Sequence, residues 1–320
     1  MSDFAETLNK LITDRNLTSI KYVTIQNEVN GGDKITKETY SQLYRALHAH
    51  LSRLRLSDSV KIISGDLVQD NQRDWFTNIG NTIADVSDGY SIHVYWDYWD
   101  TAKLLRRISE VPDIVSSLPK DKQRPLYVTE FGVRGHREKP SMEPGLHEDG
   151  APIANKPLQA NQLARFTLEG LNRGYVAFVI WTLEDAWYDR LMPYGVIGSA
   201  KDNWPLKPSY HMLRLFTHTT QPGWRAFKVE GQHDSAIVSA TSSKNGDLTI
   251  YALNHTEKRI EISIGNLGSA TRFTPVLWNV STRGALLREP PVRSDRDGII
   301  KLNIPSLGLV ALTTIKPDVP

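Results

Sequence analysis

The chain of 320 residues contains no cysteine, so disulfides, thiol nucleophiles and thiolate metal sites are excluded at once. It has no excess of one charge. Its 38 basic and 36 acidic side chains leave a formal net charge of +2, which gives no electrostatic grip on nucleic acid or an anionic membrane. No apolar run approaches the roughly 20 residues that cross a bilayer. The first ten residues are polar and amphipathic and do not read as a secretory signal, and nothing else in the chain indicates a compartment. Glycine-rich phosphate loops, a Gly-x-Ser-x-Gly elbow and a His-Glu-x-x-His helix are all missing, as are internal repeats. No cofactor or metal is expected, and neither nucleic acid nor membrane is an expected partner.

What is present is a 40% hydrophobic fraction, enough for a sizeable core, and eight tryptophans. Seven precede residue 225: Trp75, Trp96, Trp99, Trp181, Trp187, Trp204 and Trp224; Trp278 alone follows. An indole face stacks well on the C–H face of a sugar ring, although for any single tryptophan core packing is the commoner use.

Asp3 and Glu6 resemble a capping box, and Phe4, Leu8, Leu11 and Ile12 follow at helical spacing. A buried strand is predicted over 20–28, then a helix over 36–56 with Leu43, Leu47, Leu51 and Leu54 on one face. Strands over 61–66, 90–96, 125–131 and 175–181 alternate with helices over 71–86, 101–118 (interrupted near Pro112), 157–173 and 205–217. Such alternation predicts a parallel sheet with crossover helices, whose chemistry gathers at the carboxyl ends of the strands. After Gln221-Pro222-Gly223 the pattern becomes short alternating strands at 236–241, 248–254, 259–264, 273–279, 299–304 and 309–314, which predicts a β-sandwich. The expected division is 1–222 and 223–320.

The strand ends carry the titratable side chains. The first ends in Asn27-Glu28, the second in Gly65-Asp66, the third in His93-Val94-Tyr95-Trp96, the fourth in Thr129-Glu130-Phe131-Gly132 and the fifth in Trp181-Thr182. Two carboxylates on different strands, flanked by His, Tyr and Trp, suit cleavage of a glycosidic bond. One protonates the leaving oxygen; the other attacks the anomeric carbon or activates water.

Ile25-Gln26-Asn27-Glu28, about a hundred residues before Val128-Thr129-Glu130-Phe131-Gly132, resembles the clan A glycoside hydrolases. The resemblance covers residues 1 to about 220. It implies a (β/α)8-type barrel, with Glu28 as acid/base, Glu130 as nucleophile and Asn27 at the sugar 2-hydroxyl. His93 and Tyr95 match the place where the clan positions a partner of the nucleophile, and Trp181 the tryptophan flooring the cleaved-sugar subsite. Trp96 is a further candidate for sugar contact. Accessory β-domains follow such barrels, as the sandwich does here.

The departure is in the count. If Glu28 ends the fourth barrel strand, strands one to three are missing, together with the clan's arginine near the nucleophile. The expected fold is therefore α/β: a partial TIM-type barrel of about five βα units, strands 4–8, with a carboxyl-terminal antiparallel β-sandwich. Such a sheet does not close and exposes two edges, so a homo-oligomer that covers them is expected. The expected function is a retaining glycoside hydrolase acting on β-linked sugars by double displacement. The alternatives are a non-catalytic carbohydrate-binding remnant and one part of a split enzyme. Asp66 reads as a structural cap or subsite residue. His136, Glu138, His147, Glu148 and Asp149 match no standard metal spacing and read as a solvated loop or a lid.

Overall fold

The computed structural model describes residues 1–31, 35–68, 72–134, 151–185, 194–231, 233–281 and 285–317. Five parallel strands lie in chain order in one sheet: β1 (Tyr22–Val23), β2 (Lys61–Leu67), β3 (Gly89–Asp97), β4 (Leu126–Arg134) and β5 (Tyr175–Ile180). The helices are α1 (Ser2–Thr13), α2 (Lys37–Arg53), α3 (Gln72–Thr82), α4 (Thr101–Ser117), α5 (Pro157–Asn172) and α6 (Pro208–Thr219). This is a partial TIM-type barrel with an antiparallel β-sandwich after it, as the alternation predicts. No described helix is long and apolar enough to cross a membrane.

The chain forms two compact units. One comprises Met1–Val94, Arg106–Phe131 and Gly174–Val179; the other comprises Tyr95–Leu105, Gly132–Arg173 and Ile180–Pro320. In the first unit β2 and β3 are the centre of the sheet and are buried along almost their whole length. Helix α2 begins at an N-cap, Thr36, whose hydroxyl accepts the Thr39 N–H at 3.2 Å. Its buried face is led by Tyr40 and Tyr44 with Leu47 and Leu51, whereas the expected Leu43 and Leu54 are only half-buried. The tyrosines are polar at their tips and reach the β2 backbone. Tyr40 Oη accepts the Gly65 N–H at 2.8 Å, and Tyr44 Oη donates to the Ile63 carbonyl at 3.1 Å.

At that point β2 departs from regular pairing. Ser64 pairs with Tyr90 and Leu67 with Ile92, so Gly65 and Asp66 together oppose Ser91 alone. This is a β-bulge. Gly65 adopts φ 134°, and a Cβ there would lie 2.2 Å from the Ser91 carbonyl oxygen, so only glycine fits. Asp66 follows in the left-handed region at φ 49°.

Three expectations are corrected. The strand over 20–28 is reduced to two paired residues, because β1 is an edge with a neighbour on one side. The capping box does not form: Asp3 lies inside α1, whose N-cap is Met1 with no side-chain bond. Pro112 does not interrupt α4. Ile108, Val111, Ile114 and Val115 are buried around it, and their burial outweighs the roughly 3 kcal/mol that an interior proline costs.

In the second unit β6 (Arg225–Phe227), β7 (Ala236–Ser242), β8 (Leu248–Asn254), β10 (Arg272–Trp278), β11 (Leu286–Arg288), β12 (Val292–Arg293) and β14 (Leu309–Thr313) form one antiparallel sheet in the order β11-β10-β14-β8-β7-β6, with β12 on β10. Strands β9 (Ile260–Ile264) and β13 (Ile300–Ile304) form the second sheet. Between them lie Ile250, Ile262, Phe273, Leu302, Ile304 and Leu312, the alternate residues of their strands. Helices α5 and α6 pack on this sheet, α5 against β7 and β8 and α6 against β10 and β14. Strands β6, β11 and β12 were not expected; two or three residues carry too little alternation to read.

Candidate active site

The first unit gathers four titratable side chains at the carboxyl ends of its strands: Glu28 after β1, Asp66 on the β2 bulge, His93 on β3 and Glu130 on β4. His93 is at the centre, and its side chain is 3% exposed. Its Nδ1 lies 3.1 Å from Glu28 Oε1 and 3.6 Å from Glu130 Oε2. Its Nε2 lies 3.7 Å from Asp66 Oδ1, an ion-pair distance rather than a formed hydrogen bond. The two glutamates are the more open members, at 30% and 18% side-chain exposure, so a ligand can reach them while Asp66 and His93 stay covered.

The backbone contributes to this convergence. Glu28 is in the left-handed region, φ 50°, and its N–H donates to the Asp66 carbonyl at 3.1 Å. A non-glycine residue in that region is uncommon, and such residues collect at functional sites. Asp66 Oδ1 accepts the Ser91 hydroxyl at 2.7 Å and the Thr129 hydroxyl at 2.5 Å, while the Asp66 N–H donates to Ser91 Oγ at 2.8 Å.

Burial alone pushes the Asp66 carboxyl toward its neutral form. The donors around it, His93, Thr129, Thr24 and Ser91, outweigh burial and hold its pKa below the usual carboxylate value. Burial likewise opposes charge on His93. The carboxylates of Asp66 and Glu28 at its two ring nitrogens, helped by the charge of Glu130, override burial and lift its pKa to about 9. At neutral pH His93 is therefore a cation among three carboxyl groups.

Ligand atoms of Glu28, His93 and Glu130 all lie within 4.8 Å of one another, near enough to be considered for a metal ion. A histidine that ligates a metal must offer a bare ring nitrogen. Both nitrogens of His93 face carboxylates and carry protons at neutral pH, so the set suits proton transfer better than coordination.

The other expected residues have different surroundings. Asn27 is exposed at the end of the segment that carries Glu28. Tyr95, Trp96 and Trp181 belong to the second unit. The Tyr95 ring is covered by the Arg134 guanidinium, 5.0 Å from its centre, and meets Tyr194 edge-on. Trp181 is half-buried, and the peptide bond to Thr182 is cis. Trp96 is a correction. It is fully buried, stacks on Phe166 at 5.0 Å and donates Nε1–H to Gln162 at 3.2 Å, so both its faces and its polar tip are used in the core and none is left for sugar. Trp187 and the loop residues His136, Glu138, His147, Glu148 and Asp149 lie outside the described residues.

Ser91 and Thr129 were missed as site residues. The signal was the strand period of two, which puts Ser91 on the face of His93. Thr129 lies one residue before Glu130, where sequence parity assigns it to the other face of β4, and that parity gave no warning of its bond to Asp66.

No family model and no curated protein matches this chain. Solved structures match over 98% of it. They include a GH30 endoxylanase from Clostridium papyrosolvens C71 (TM-score 0.69, 14% identity), a GH51 arabinofuranosidase from Xanthomonas axonopodis pv. citri (0.66, 15%) and the endo-β1,6-glucanase BT3312 (0.64, 16%). The fold is that of the clan A glycoside hydrolases. The chain spans 70%, 73% and 63% of the respective lengths of those three structures.

Proposed function

We propose that the protein is a retaining glycoside hydrolase. The observation that carries the reading is the pair Glu28 and Glu130, at the carboxyl ends of β1 and β4 in a sheet whose fold is shared with glycosidases, with carboxylate oxygens within 4.8 Å of one another. Carboxyl groups about 5–5.5 Å apart suit attack by one of them on the sugar, whereas single displacement needs roughly 6.5–9.5 Å to admit a water. Oxygens that approach within 4.8 Å are compatible with the shorter carboxyl separation, and so with double displacement.

In the first step a Glu130 oxygen bonds to the anomeric carbon as the glycosidic C–O bond breaks, and the departing oxygen takes the proton of Glu28. In the second, Glu28 removes a proton from water, whose oxygen bonds to the anomeric carbon and expels Glu130 as carboxylate. Substrates worth screening first are those named for structures of like fold: xylan, β-1,6-glucan and arabinofuranosides, with aryl β-glycosides as general reporters. Glu130→Gln should reduce turnover on the order of 10³-fold or more, and Glu28→Gln by roughly 10²–10⁴-fold, least for substrates with acidic leaving groups. Undiminished hydrolysis by Glu130→Gln would refute the assignment.

The sheet edges favour a second reading, binding without turnover. Among the described residues β1 and β5 each pair on one side only, and a sheet open at both edges encloses a sugar less fully than a closed barrel wall. Saturable glycan binding with no product released, over the same panel, would favour it. Under either reading we propose that a second copy of the chain covers the open edges.

A further inference from the structure

We propose that Asp66 is a positioning residue: it fixes His93 as the imidazolium whose Nδ1–H is shared between Glu28 and Glu130. The role in reaction rests on the hydrolase reading of that pair; the placement of the proton does not.

The fold commits several features to this one carboxylate. The bulge at Gly65-Asp66 turns it out of the β2 ladder toward β3, and Tyr40 holds the Gly65 N–H that the bulge frees. The hydroxyls of Ser91 and Thr129 donate to Oδ1 and fix the carboxylate as an acceptor. An Asp66 oxygen faces Nε2 at 3.7 Å, and oxygens of Glu28 and Glu130 face Nδ1 at 3.1 and 3.6 Å, so carboxylate charge at close range favours a proton on each ring nitrogen. Only the imidazolium carries both. The titratable groups around His93 are Glu28, Asp66 and Glu130; Tyr40 and Tyr44 of α2 lie beside Asp66, and burial, first among the causes, raises their pKa and keeps them neutral.

While Glu28 holds the proton that the leaving oxygen takes, the Nδ1–H of His93 faces the Glu130 oxygen that attacks the sugar. When Glu130 becomes a glycosyl ester it loses its charge, and the shared proton of His93 is left to Glu28. The Nδ1–H then faces Glu28 alone, at 3.1 Å, at the step where Glu28 accepts a proton from water.

The test is the imidazole titration of His93, followed by nuclear magnetic resonance of histidine-labelled protein and assigned by the signal that His93→Gln removes. In the unaltered protein the midpoint should lie at about 9. Asp66→Asn keeps the shape and the hydroxyl acceptor but removes the charge, so the midpoint should fall by roughly 1–3 units, with Asp66→Glu recovering part of it. An unaltered midpoint in Asp66→Asn, or an ordinary one in the parent, overturns the proposal. Should Asp66→Asn fail to fold, the parent suffices: the His93 signal should show a second inflection below the ordinary carboxylate range as Asp66 takes a proton, and its absence is equally fatal. With a hydrolysed substrate in hand, the alkaline limb of kcat/KM should move with the His93 midpoint. A fixed limb refutes the role in reaction. No turnover by the parent refutes the hydrolase reading and leaves the titration result standing.

Discussion

The centre and the edges of the parallel sheet are built from similar residues and end in opposite states. In β2 and β3 nearly every side chain is buried, the polar Ser64, Asp66, Ser91 and His93 included, and each polar group has a partner. At the edges, Tyr22 of β1 is 56% exposed and Val176 and Val179 of β5 are 56% and 55% exposed. Among the described residues β1 pairs with β2 alone, and β5 with β4 alone. The difference teaches that burial here follows from neighbouring strands and not from hydropathy. A charged residue between two strands is held and satisfied; a valine with one strand beside it is left in water.

The harshest way to break this contrast is Gly65→Ala. The positive φ and the 2.2 Å approach to the Ser91 carbonyl leave no room for a methyl group. Denaturant unfolding should show a loss of roughly 3 kcal/mol or more. A loss below ~1 kcal/mol would mean that the bulge is not a fixed feature of the centre.

The next effect is pH-dependent. His93 has a folded-state pKa of about 9 against an ordinary 6.5. A raised pKa contributes stability that is fully present below 6.5 and is lost as the pH rises through about 9. The amount is on the order of 3 kcal/mol. Asp66 acts in the opposite sense: its lowered pKa contributes stability above the ordinary carboxylate range that is lost as the pH falls through the lowered value. Unfolding free energies of the parent minus those of His93→Gln should therefore shrink from pH 6 to pH 10. A constant difference contradicts the charge assignment.

Tyr40→Phe should cost about 1–3 kcal/mol, because it leaves the buried Gly65 N–H without its acceptor. A neutral result would show that the bulge is self-supporting. The smallest effect belongs to the edges. Val176→Thr with Val179→Thr should change the stability of the isolated chain by less than ~0.5 kcal/mol each. If a second copy covers β5, light scattering should show weaker association for the double variant. A monodisperse monomer in the parent would remove that partner.

Much of this was legible in sequence. Apolar period and strand-end chemistry predicted the βα alternation, the sandwich and the convergence of Glu28, His93 and Glu130 on one edge. The unread parts have particular causes. β1 was overestimated because the hydropathy of 20–28 reports a strand that wants two neighbours and has one. Trp96 was assigned to sugar although strand parity puts it with Val94, on the face opposite His93. The bulge had a signal in Gly65, since a glycine inside a buried strand marks a close backbone approach. What no pattern conveyed was the extra residue of register that turns Asp66 toward its hydroxyl donors.

The bond from the Glu28 N–H to the Asp66 carbonyl joins the main chains of two residues whose carboxylates share one histidine. Deuterium replaces that amide proton when the two main chains part. Its exchange is thus a clock for how often the site comes apart at rest, and it can be read before any sugar has been found to bind.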